Sequence, residues 1–450
     1  MLTRRTTREG KRTAIPREQW QFVEDGTAIV SSAGFDAGAI YELVYVAHDP
    51  PLVGLGFAAF RDVAVYAQHD ESSVFPVERA IAVGSSQSGR FLRHFLYEGF
   101  NRDERGRQAY QGVLINIAGA GRGGFNHRFS HPGRVGNPFE NFFYPGDDYP
   151  FASRPTPDLV GEDERGLLDR AVRTATAPKL FQINTGYEYW GRGASLIQMT
   201  PDGKRDIPPL PSERLYHLAS APHYPLPWPP APDTQIAPDV YRGSPLDTSA
   251  IQRALFLHML RWVETEVEPP PSQVPLIAAG SLVEPSKVEQ PIGFLRTPRS
   301  PHVAYRQDFG DRFARDGVIA YQPPRRGPAY AIRVPQVDEL GSERSGVRAM
   351  ALRVPIGSYL PWALRTGAPF AEDEMTGYLG TFVPLPVTAA ERSAQDGRPS
   401  LAALYPEREA YVERVDEALE TMVGEGWLLE RDKDRERAAA LERWEWANRR

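Results

Sequence analysis

The segment Ala80–Leu96, AIAVGSSQSGRFLRHFL, places a turn rich in glycine and serine between an apolar run and a helical pattern. The apolar residues before Ser85 are typical of a buried strand, and the pattern after Gly89 is typical of an amphipathic helix. A strand that enters a helix through a tight turn is the repeating unit of parallel α/β sheets. We therefore expect an α/β fold.

Similar strand-like and helix-like segments alternate along the first 268 residues. Strands that are apolar along their whole length are covered on both faces, so the alternation predicts a mostly parallel sheet flanked by helices. The five strands are predicted at Ile40–Ala47, Arg79–Ser85, Gly112–Ala120, Lys179–Gly186 and Arg214–Ala221.

The domain organisation follows from where this alternation stops, near Pro269. We expect a core at residues 1–268, with a lid-like insertion at about 121–165 that is rich in Phe, Tyr, Pro and Gly. Residues 269–450 are expected to form a C-terminal extension that packs on the core. It ends in two charged amphipathic helices, interrupted near Gly424–Gly426.

Composition excludes several classes of protein. A net charge of −6 gives no basic surface of the kind that binds nucleic acid. The absence of cysteine excludes disulfides, thiolate nucleophiles and cysteine-ligated zinc. No segment approaches the roughly 18 consecutive apolar residues of a membrane span. The basic N-terminus lacks a following apolar region, so we expect no signal peptide and a cytoplasmic location.

The small-residue turn has the spacing of a nucleophile elbow, in which small residues must lie two places before and two places after the serine. Centred on Ser86, these positions hold Gly84 and Ser88. Centred on Ser88, the second position holds Arg90, which is too large, and Ser85 fails similarly because Val and Gln flank it. Sterics therefore favour Ser86, although a capped turn without chemistry remains the alternative for this motif alone.

A serine nucleophile needs a base, and the base needs an orienting carboxylate. In α/β-hydrolases the acid and then the histidine follow the serine, each just after a later strand. Glu188 is the first carboxylate after the strand Lys179–Gly186, and His223 is the first histidine after the strand Arg214–Ala221. Because ligands bind at the carboxyl ends of parallel strands, we expect both side chains to converge on Ser86.

The other candidates have more ordinary explanations. His217 lies within a predicted strand, so a core position is expected for it, and His258 lies in the middle of a predicted helix. His127 and His131 precede the acid and suit a lid or a substrate wall. Asp147–Asp148 reads as a solvated turn.

The oxyanion of the reaction needs hydrogen-bond donors. The residue after the nucleophile normally supplies one backbone N–H, which here is that of Gln87. The second donor normally comes from an earlier strand–helix loop, for which HDPPLVGLG at residues 48–56 is the candidate.

Several segments together resemble the large bacterial α/β-hydrolase-domain proteins, a family of serine esterases. They are GFDAGAIYELVYVAHDPPLVGLGFAAFRDV, GSSQSGRFLRHFL, GAGRGGFNHRF, INTGYEYWGRGASLI and RLYHLASAPHYP, and the similarity runs from about Ile15 to the C-terminus. The resemblance implies an α/β-hydrolase fold and a triad of Ser86, Glu188 and His223. Many relatives have Gln and Gly on the two sides of this histidine, where this chain has Pro and Tyr.

The resemblance also concerns the N-terminus. Family members usually carry an additional preceding region that includes the first strands of the sheet. The resemblance therefore implies a chain that starts later than its relatives, and an impaired enzyme if that region held the second oxyanion donor. Alternatively, residues 1–39 or the C-terminal extension complete the edge of the sheet.

These observations predict a serine hydrolase that cleaves carboxylic esters through an acyl-enzyme, without a cofactor or metal. The loops Phe125–Phe151 and Tyr224–Pro238 are rich in aromatic residues and proline, which predicts a lid and an apolar substrate wall, and a moderately large apolar or aromatic ester as the small-molecule substrate. A catalytically impaired binding or assembly protein, a serine peptidase and an acyltransferase remain alternatives. The C-terminal helices are candidates for homo-oligomer contacts.

Overall fold

The computed structural model describes residues 1–7, 10–46, 49, 53–125, 147–161, 164–231, 242–299, 301–316, 318–321, 324–365, 374–375 and 377–449. Its helices are α1 Leu55–His69, α2 Gln87–Tyr97, α3 Asp169–Arg173, α4 Gly186–Gly191, α5 Ser249–Thr265, α6 Phe313–Asp316, α7 Met350–Arg353, α8 Leu401–Leu404, α9 Arg408–Gly424 and α10 Lys433–Ala447.

Its strands are β1 Leu2–Arg5, β2 Thr13–Ile15, β3 Trp20–Phe22, β4 Ile29–Ser31, β5 Ile40–Leu43, β6 Ile81–Ser85, β7 Gly112–Asn116, β8 Thr156–Pro157, β9 Glu164–Arg165, β10 Lys179–Thr185, β11 Glu213–Leu218, β12 Arg242–Gly243, β13 Leu282–Val283, β14 Tyr305–Asp308, β15 Arg325–Ala329, β16 Val334–Pro335, β17 Gly357–Leu360 and β18 Thr381–Pro384.

The central sheet contains four parallel strands in the order β11-β10-β7-β6. Its side chains alternate between two apolar layers. Val113 and Ile115 of β7 pack with α1 and α2 on one face, and Leu114 packs with α5 and the C-terminal residues on the other. The expected α/β class, with a parallel sheet between helices and helices at the C-terminal end, is confirmed.

The segment predicted as the first strand of this sheet does not belong to it. Ile40–Leu43 forms β5, which is partly exposed and pairs antiparallel with β1 in a separate sheet of order β2-β1-β5. Glu42 lies 3.0 Å from Arg5 and 2.6 Å from Arg12. These ion pairs join β5 to the N-terminal residues, with which it also forms its backbone pairing.

The two edges of the central sheet differ. Beside β11, the backbone N–H of His217 donates to Gln273 at 2.8 Å and that of Ala219 donates to Val347 at 3.1 Å. Residues of the C-terminal extension therefore hydrogen-bond to this edge. At β6, the other edge, the described residues supply no outer strand, and Val83 is 53% exposed. Residues 1–39 form their strands in separate small sheets.

The C-terminal residues share a core with the sheet. One apolar cluster joins Phe181 and Tyr216 of β10 and β11 to Trp427 and Trp444 near the two last helices. The interruption between those helices lies where it was expected, since α9 ends at Gly424. About half of the lid-like insertion at 121–165 lies outside the described residues, as do residues 232–238 of the second aromatic loop.

Candidate active site

Ser86 occupies a strained turn at the carboxyl end of β6. Its backbone has φ 56° and ψ −116°, and it is the N-cap residue of α2. A positive φ is uncommon for a residue other than glycine and persists only where the surrounding structure enforces it. Here the backbone N–H of Ser86 donates to Asn116 at 2.9 Å, which ties the turn to the end of β7. The Ser86 side chain therefore stands above the sheet, at the start of the helix.

Close contact between β6 and α2 explains the small residues around this turn. A Cβ on Gly84 would lie 2.5 Å from the carbonyl oxygen of Ser88 and 2.8 Å from Leu92. A Cβ on Gly89 would lie 3.0 Å from Ala118. Ser88 itself is exposed, and its carbonyl rather than its side chain lies against Gly84. The tight positions are therefore the two glycines.

Glu188 lies in the first turn of α4, directly after β10. The helix begins with a capping box, in which the carboxylate of Glu188 accepts a hydrogen bond from the backbone N–H of Thr185 at 3.0 Å. The hydroxyl of Thr185 donates to the same carboxylate oxygen. The sequence Thr-Gly-Tyr-Glu has the spacing of this motif, so Thr185 could have been identified from the sequence.

The ionised form of Glu188 is favoured although the residue is completely buried. Burial alone would raise the pKa of Glu188, but the charge of His223 and hydrogen bonds from His223 and Thr185 outweigh it. The net result is a pKa below the ordinary value. A buried carboxylate that stays charged can orient an imidazole and stabilise its protonated form.

His223 bridges the other two side chains. Its Nδ1 lies 2.5 Å from Glu188 Oε1, and its Nε2 lies 3.1 Å from Ser86 Oγ. Only 4% of His223 is exposed. The structure thus brings together the three residues that the sequence selected, in one hydrogen-bonded chain. Ser85 takes no part in it, because its Oγ accepts from Asn116 Nδ2 at 3.3 Å.

Aromatic rings surround the imidazole of His223. The ring of Tyr378 lies 4.6 Å from it, that of Tyr224 4.7 Å and that of Tyr187 5.6 Å, measured between centroids. Tyr378 comes from the C-terminal extension, more than 150 positions after His223, and no local sequence signal pointed to it. The rings restrict the orientation of the imidazole and form an apolar surface beside it.

The backbone N–H of Gln87 lies at the start of α2. Gln87 is the first residue of α2, and the first N–H groups of a helix have no acceptor within the helix. The positive end of the helix dipole adds to their attraction for an oxyanion. The candidate second donor is HDPPLVGLG at residues 48–56, of which His48 and residues 50–52 lie outside the described residues.

His217 and His258 contact groups other than the proposed triad. His217 is fully buried, with its Nε2 2.9 Å from Glu343, and His258 Nε2 lies 2.8 Å from the carbonyl of Gly426. His217 lies in the core, as expected, and His258 is half-buried on α5. His127 and His131 lie outside the described residues.

The aspartates at 147 and 148 are not a solvated turn, as the sequence suggested. Asp147 Oδ2 lies 2.6 Å from His302 Nε2, and the side chain of Asp147 is 13% exposed. Asp148 lies 3.4 Å from Arg122. The polar sequence of the segment did not reveal that the C-terminal extension supplies His302 as a buried partner.

Within the described ranges, no helix has both the length and the apolar character that crossing a bilayer requires. The same residues contain no group of three or more His, Asp or Glu side chains arranged to hold a metal ion.

Comparison with known proteins identifies the family. The model of the family described as alpha/beta hydrolase domain matches residues 16–438, which is most of the chain. Searches of the curated proteins and of the solved structures returned no match. The match spans the central sheet, the turn at Ser86 and both following strand ends. The chain therefore belongs to the alpha/beta hydrolase domain family.

Proposed function

We propose that this hydrolase cleaves carboxylic esters through an acyl-enzyme intermediate, with Ser86, His223 and Glu188 as its catalytic triad. The observation that carries the proposal is the hydrogen-bonded chain from Ser86 Oγ through both nitrogens of His223 to Glu188. The strained backbone of Ser86 at a helix N-terminus is the setting that presents such a nucleophile.

In the acylation step, Ser86 Oγ forms a bond to the ester carbonyl carbon while its proton moves to His223 Nε2. The carbonyl oxygen becomes an oxyanion, and the N–H of Gln87 donates to it. Collapse of this intermediate breaks the bond to the alcohol oxygen, which takes the proton from His223. Glu188 remains ionised throughout and stabilises the imidazolium.

In the deacylation step, water replaces the alcohol. His223 accepts a proton from the water, whose oxygen bonds to the acyl carbon. The bond to Ser86 Oγ then breaks, Ser86 recovers its proton from His223, and the carboxylic acid leaves. The triad thus returns to its starting state, and the net reaction consumes one ester and one water.

The leaving alcohol is proposed to be apolar or aromatic. It must lie near His223 Nε2 to receive its proton, and the rings of Tyr224 and Tyr378 pack beside that imidazole. Tyr224 is 53% exposed, so its ring is accessible to a substrate. We also propose that the core ends at residue 268 and that the C-terminal extension begins at residue 269. In this division the extension contributes Tyr378 to the active site of the core.

Labelling with a fluorophosphonate tests the nucleophile. The wild-type protein should be labelled and should hydrolyse short 4-nitrophenyl esters, and Ser86→Ala should do neither. Ser85→Ala and Ser88→Ala are matched controls, because each removes a neighbouring hydroxyl from the same turn. Both should be labelled like the wild type.

Two results would contradict the proposal. An unlabelled wild-type protein that hydrolyses no ester would exclude the serine esterase and favour the impaired alternative. Loss of labelling in Ser88→Ala, with Ser86→Ala still labelled, would show that Ser88 and not Ser86 is the nucleophile. Circular dichroism of each variant would separate these results from misfolding.

A further inference from the structure

A buried arginine lies beside the proposed triad. Arg90 is only 4% exposed, and its Nε has no hydrogen-bond partner within the described part of the chain. Burying a guanidinium without acceptors is costly, and such a group is normally paired with an anion. The acylation and deacylation steps described above do not use Arg90. Its buried positive charge therefore has no role in the proposed reaction so far.

The position of Arg90 on α2 directs its side chain toward the nucleophile. Its backbone N–H donates to the carbonyl of Ser86 at 3.0 Å, so the two residues are one helical turn apart. Side chains on a helix lean toward its N-terminus, and here Ser86 lies at that end. Glu188 and Tyr378, which both contact His223, are among the groups that interact electrostatically with the guanidinium.

A second arginine adjoins the same place. Arg192 is the C-cap residue of α4, its backbone N–H donates to the carbonyl of Glu188 at 3.0 Å, and its Nη2 lies 3.5 Å from the hydroxyl of Tyr378. Burial and the nearby positive charge of Arg192 lower the pKa of Arg90 to about 10, which leaves Arg90 protonated at neutral pH. Two cations are thus held close together at the rim of the triad.

The carboxylates near Arg90 are directed to other partners. Asp147 Oδ2 is bound to His302 at 2.6 Å, and the two oxygens of Glu188 are bound to His223 and Thr185. Both carboxylates attract Arg90 electrostatically, yet within the described part of the chain neither accepts a hydrogen bond from it. The planar fork of the guanidinium therefore remains available for a carboxylate, which it matches in a bidentate manner.

We propose that Arg90, with Arg192 beside it, binds a carboxylate on the acyl part of the substrate, so that the preferred esters are monoesters of dicarboxylic acids. The inference rests on the proposed function. The acyl part is the relevant one because it is bonded to Ser86, one turn from Arg90, whereas the alcohol leaves beside His223. The acyl part of these esters is therefore charged, whereas the leaving alcohol beside Tyr224 and Tyr378 is apolar or aromatic, as proposed above.

The kinetic test compares two esters of equal chain length, 4-nitrophenyl hydrogen glutarate and 4-nitrophenyl pentanoate. The wild-type protein should have the larger kcat/KM for the acidic ester. Arg90→Gln should reduce the ratio of the two kcat/KM values by about 10- to 100-fold, chiefly through KM, the size expected for a lost charged hydrogen bond. Arg90→Lys keeps the positive charge but not the planar guanidinium. Its ratio of kcat/KM values should lie between those of the wild type and Arg90→Gln.

Arg105→Gln is the matched control, because it removes the same charge from an exposed residue in the loop that follows the far end of α2. Its ratio should equal that of the wild type. A binding test without turnover uses calorimetric titration of Ser86→Ala with glutarate. The added change Arg90→Gln should weaken glutarate binding by a similar factor.

The outcomes separate this inference from the proposed function. Equal kcat/KM for both esters in the wild type, or an equal loss for both in Arg90→Gln, would overturn the carboxylate site and leave the serine esterase intact. Absence of both labelling and ester hydrolysis would overturn the proposed function. In that case the glutarate titration would still test the carboxylate site. Glutarate binding that is not weakened by Arg90→Gln would exclude this site.

Discussion

Glu188 Oε1 lies 2.5 Å from Nδ1 of His223, while the other oxygen of this carboxylate is bound to Thr185. One side chain therefore closes the first turn of α4 and orients the proposed base. The capping box fixes the rotamer of Glu188, and β10 fixes the position of the helix. The imidazole is thereby aligned with Ser86 before any substrate arrives.

Glu188→Gln should separate these two roles. Glutamine retains an acceptor for the N–H of Thr185, so the helix start should survive and the melting temperature should change little. The charge that stabilises the imidazolium is lost, and kcat should fall by about 10³- to 10⁴-fold on a 4-nitrophenyl ester.

The matched control is Glu343→Gln at the buried pair with His217. It should lower stability but retain most of kcat, because Glu343 does not contact His223 in the described structure. Comparable losses of kcat in the two variants would indicate that Glu188 acts only through packing.

Gly84→Ala should disrupt the nucleophile turn. The added methyl would lie 2.5 Å from the carbonyl oxygen of Ser88, so β6 and α2 must separate. We expect destabilisation of roughly 1–3 kcal/mol, as for other overpacked sites, together with loss of fluorophosphonate labelling. Urea unfolding and labelling would measure the two effects.

Gly56→Ala is the control for that substitution. Gly56 lies in the first turn of α1, is exposed, and would have no atom within 4 Å of its new methyl. Alanine should be neutral or stabilising by up to roughly 1 kcal/mol because of its greater helix propensity. Labelling of Gly56→Ala at the wild-type level would show that a methyl added to a glycine does not by itself impair the protein.

Acid should destabilise the protein in part through Asp147. Burial alone would raise the pKa of Asp147, but His302 and the nearby Arg192 and Arg90 lower it to about 2. Since this folded-state pKa lies below the ordinary value of 3.8, the ionised carboxylate stabilises the folded state above about pH 4. That contribution is lost as the pH falls from about 4 toward 2. Asp147→Asn should lower the free energy of unfolding at pH 6 and flatten its decline in acid.

The neighbouring Asp148 should behave in the opposite way. Its burial raises its pKa, and this outweighs the nearby positive charge of Arg122. The folded state then takes up this proton more readily than the unfolded state, so protonation of Asp148 favours folding as the pH falls. Asp148→Asn should therefore maintain or increase stability at pH 6. Equal losses in the two asparagine variants, measured by urea unfolding, would contradict the opposite shifts.

Arg93 should be essential for stability. It is fully buried and donates to the carbonyls of Gly121, Ala120 and Phe151 and to the side chain of Gln182. Arg93→Met would leave these four acceptors without their donor, and we expect a loss of about 3–5 kcal/mol. Urea unfolding measures this loss. Arg105→Met, at an exposed position, should change stability by less than about 0.5 kcal/mol.

The sequence was most informative where a residue's role depends on its immediate neighbours. The small residues around Ser86, the apolar strands and the break near Gly424 are local patterns, and the structure contains the corresponding turn, sheet and helix end. The capping box of Thr185 and Glu188 is another local pattern, since its two residues are three positions apart. The hydrophobic run at Ile40–Ala47 was misassigned, because pairing of Glu42 with Arg5 and Arg12 cannot be read from that run alone.

Other features depended on contacts between distant segments. The sequence around Asp147 is typical of a solvated turn, but in the folded protein Asp147 is paired with His302. Tyr378 likewise contacts His223 from the C-terminal extension. Residues far apart in sequence become neighbours only when the layers of the fold pack together. The burial of such groups, and hence the direction of their pKa shifts, is set by that packing.

The sequence by itself determined the α/β class and the order in which Ser86, Glu188 and His223 follow successive strands, because strand alternation and turn sterics act over a few residues. Only the tertiary structure decided that these three side chains meet within hydrogen-bonding distance. It also decided that Arg90 is buried beside them. Those distances depend on strand order and on packing of the C-terminal extension, which no local pattern encodes.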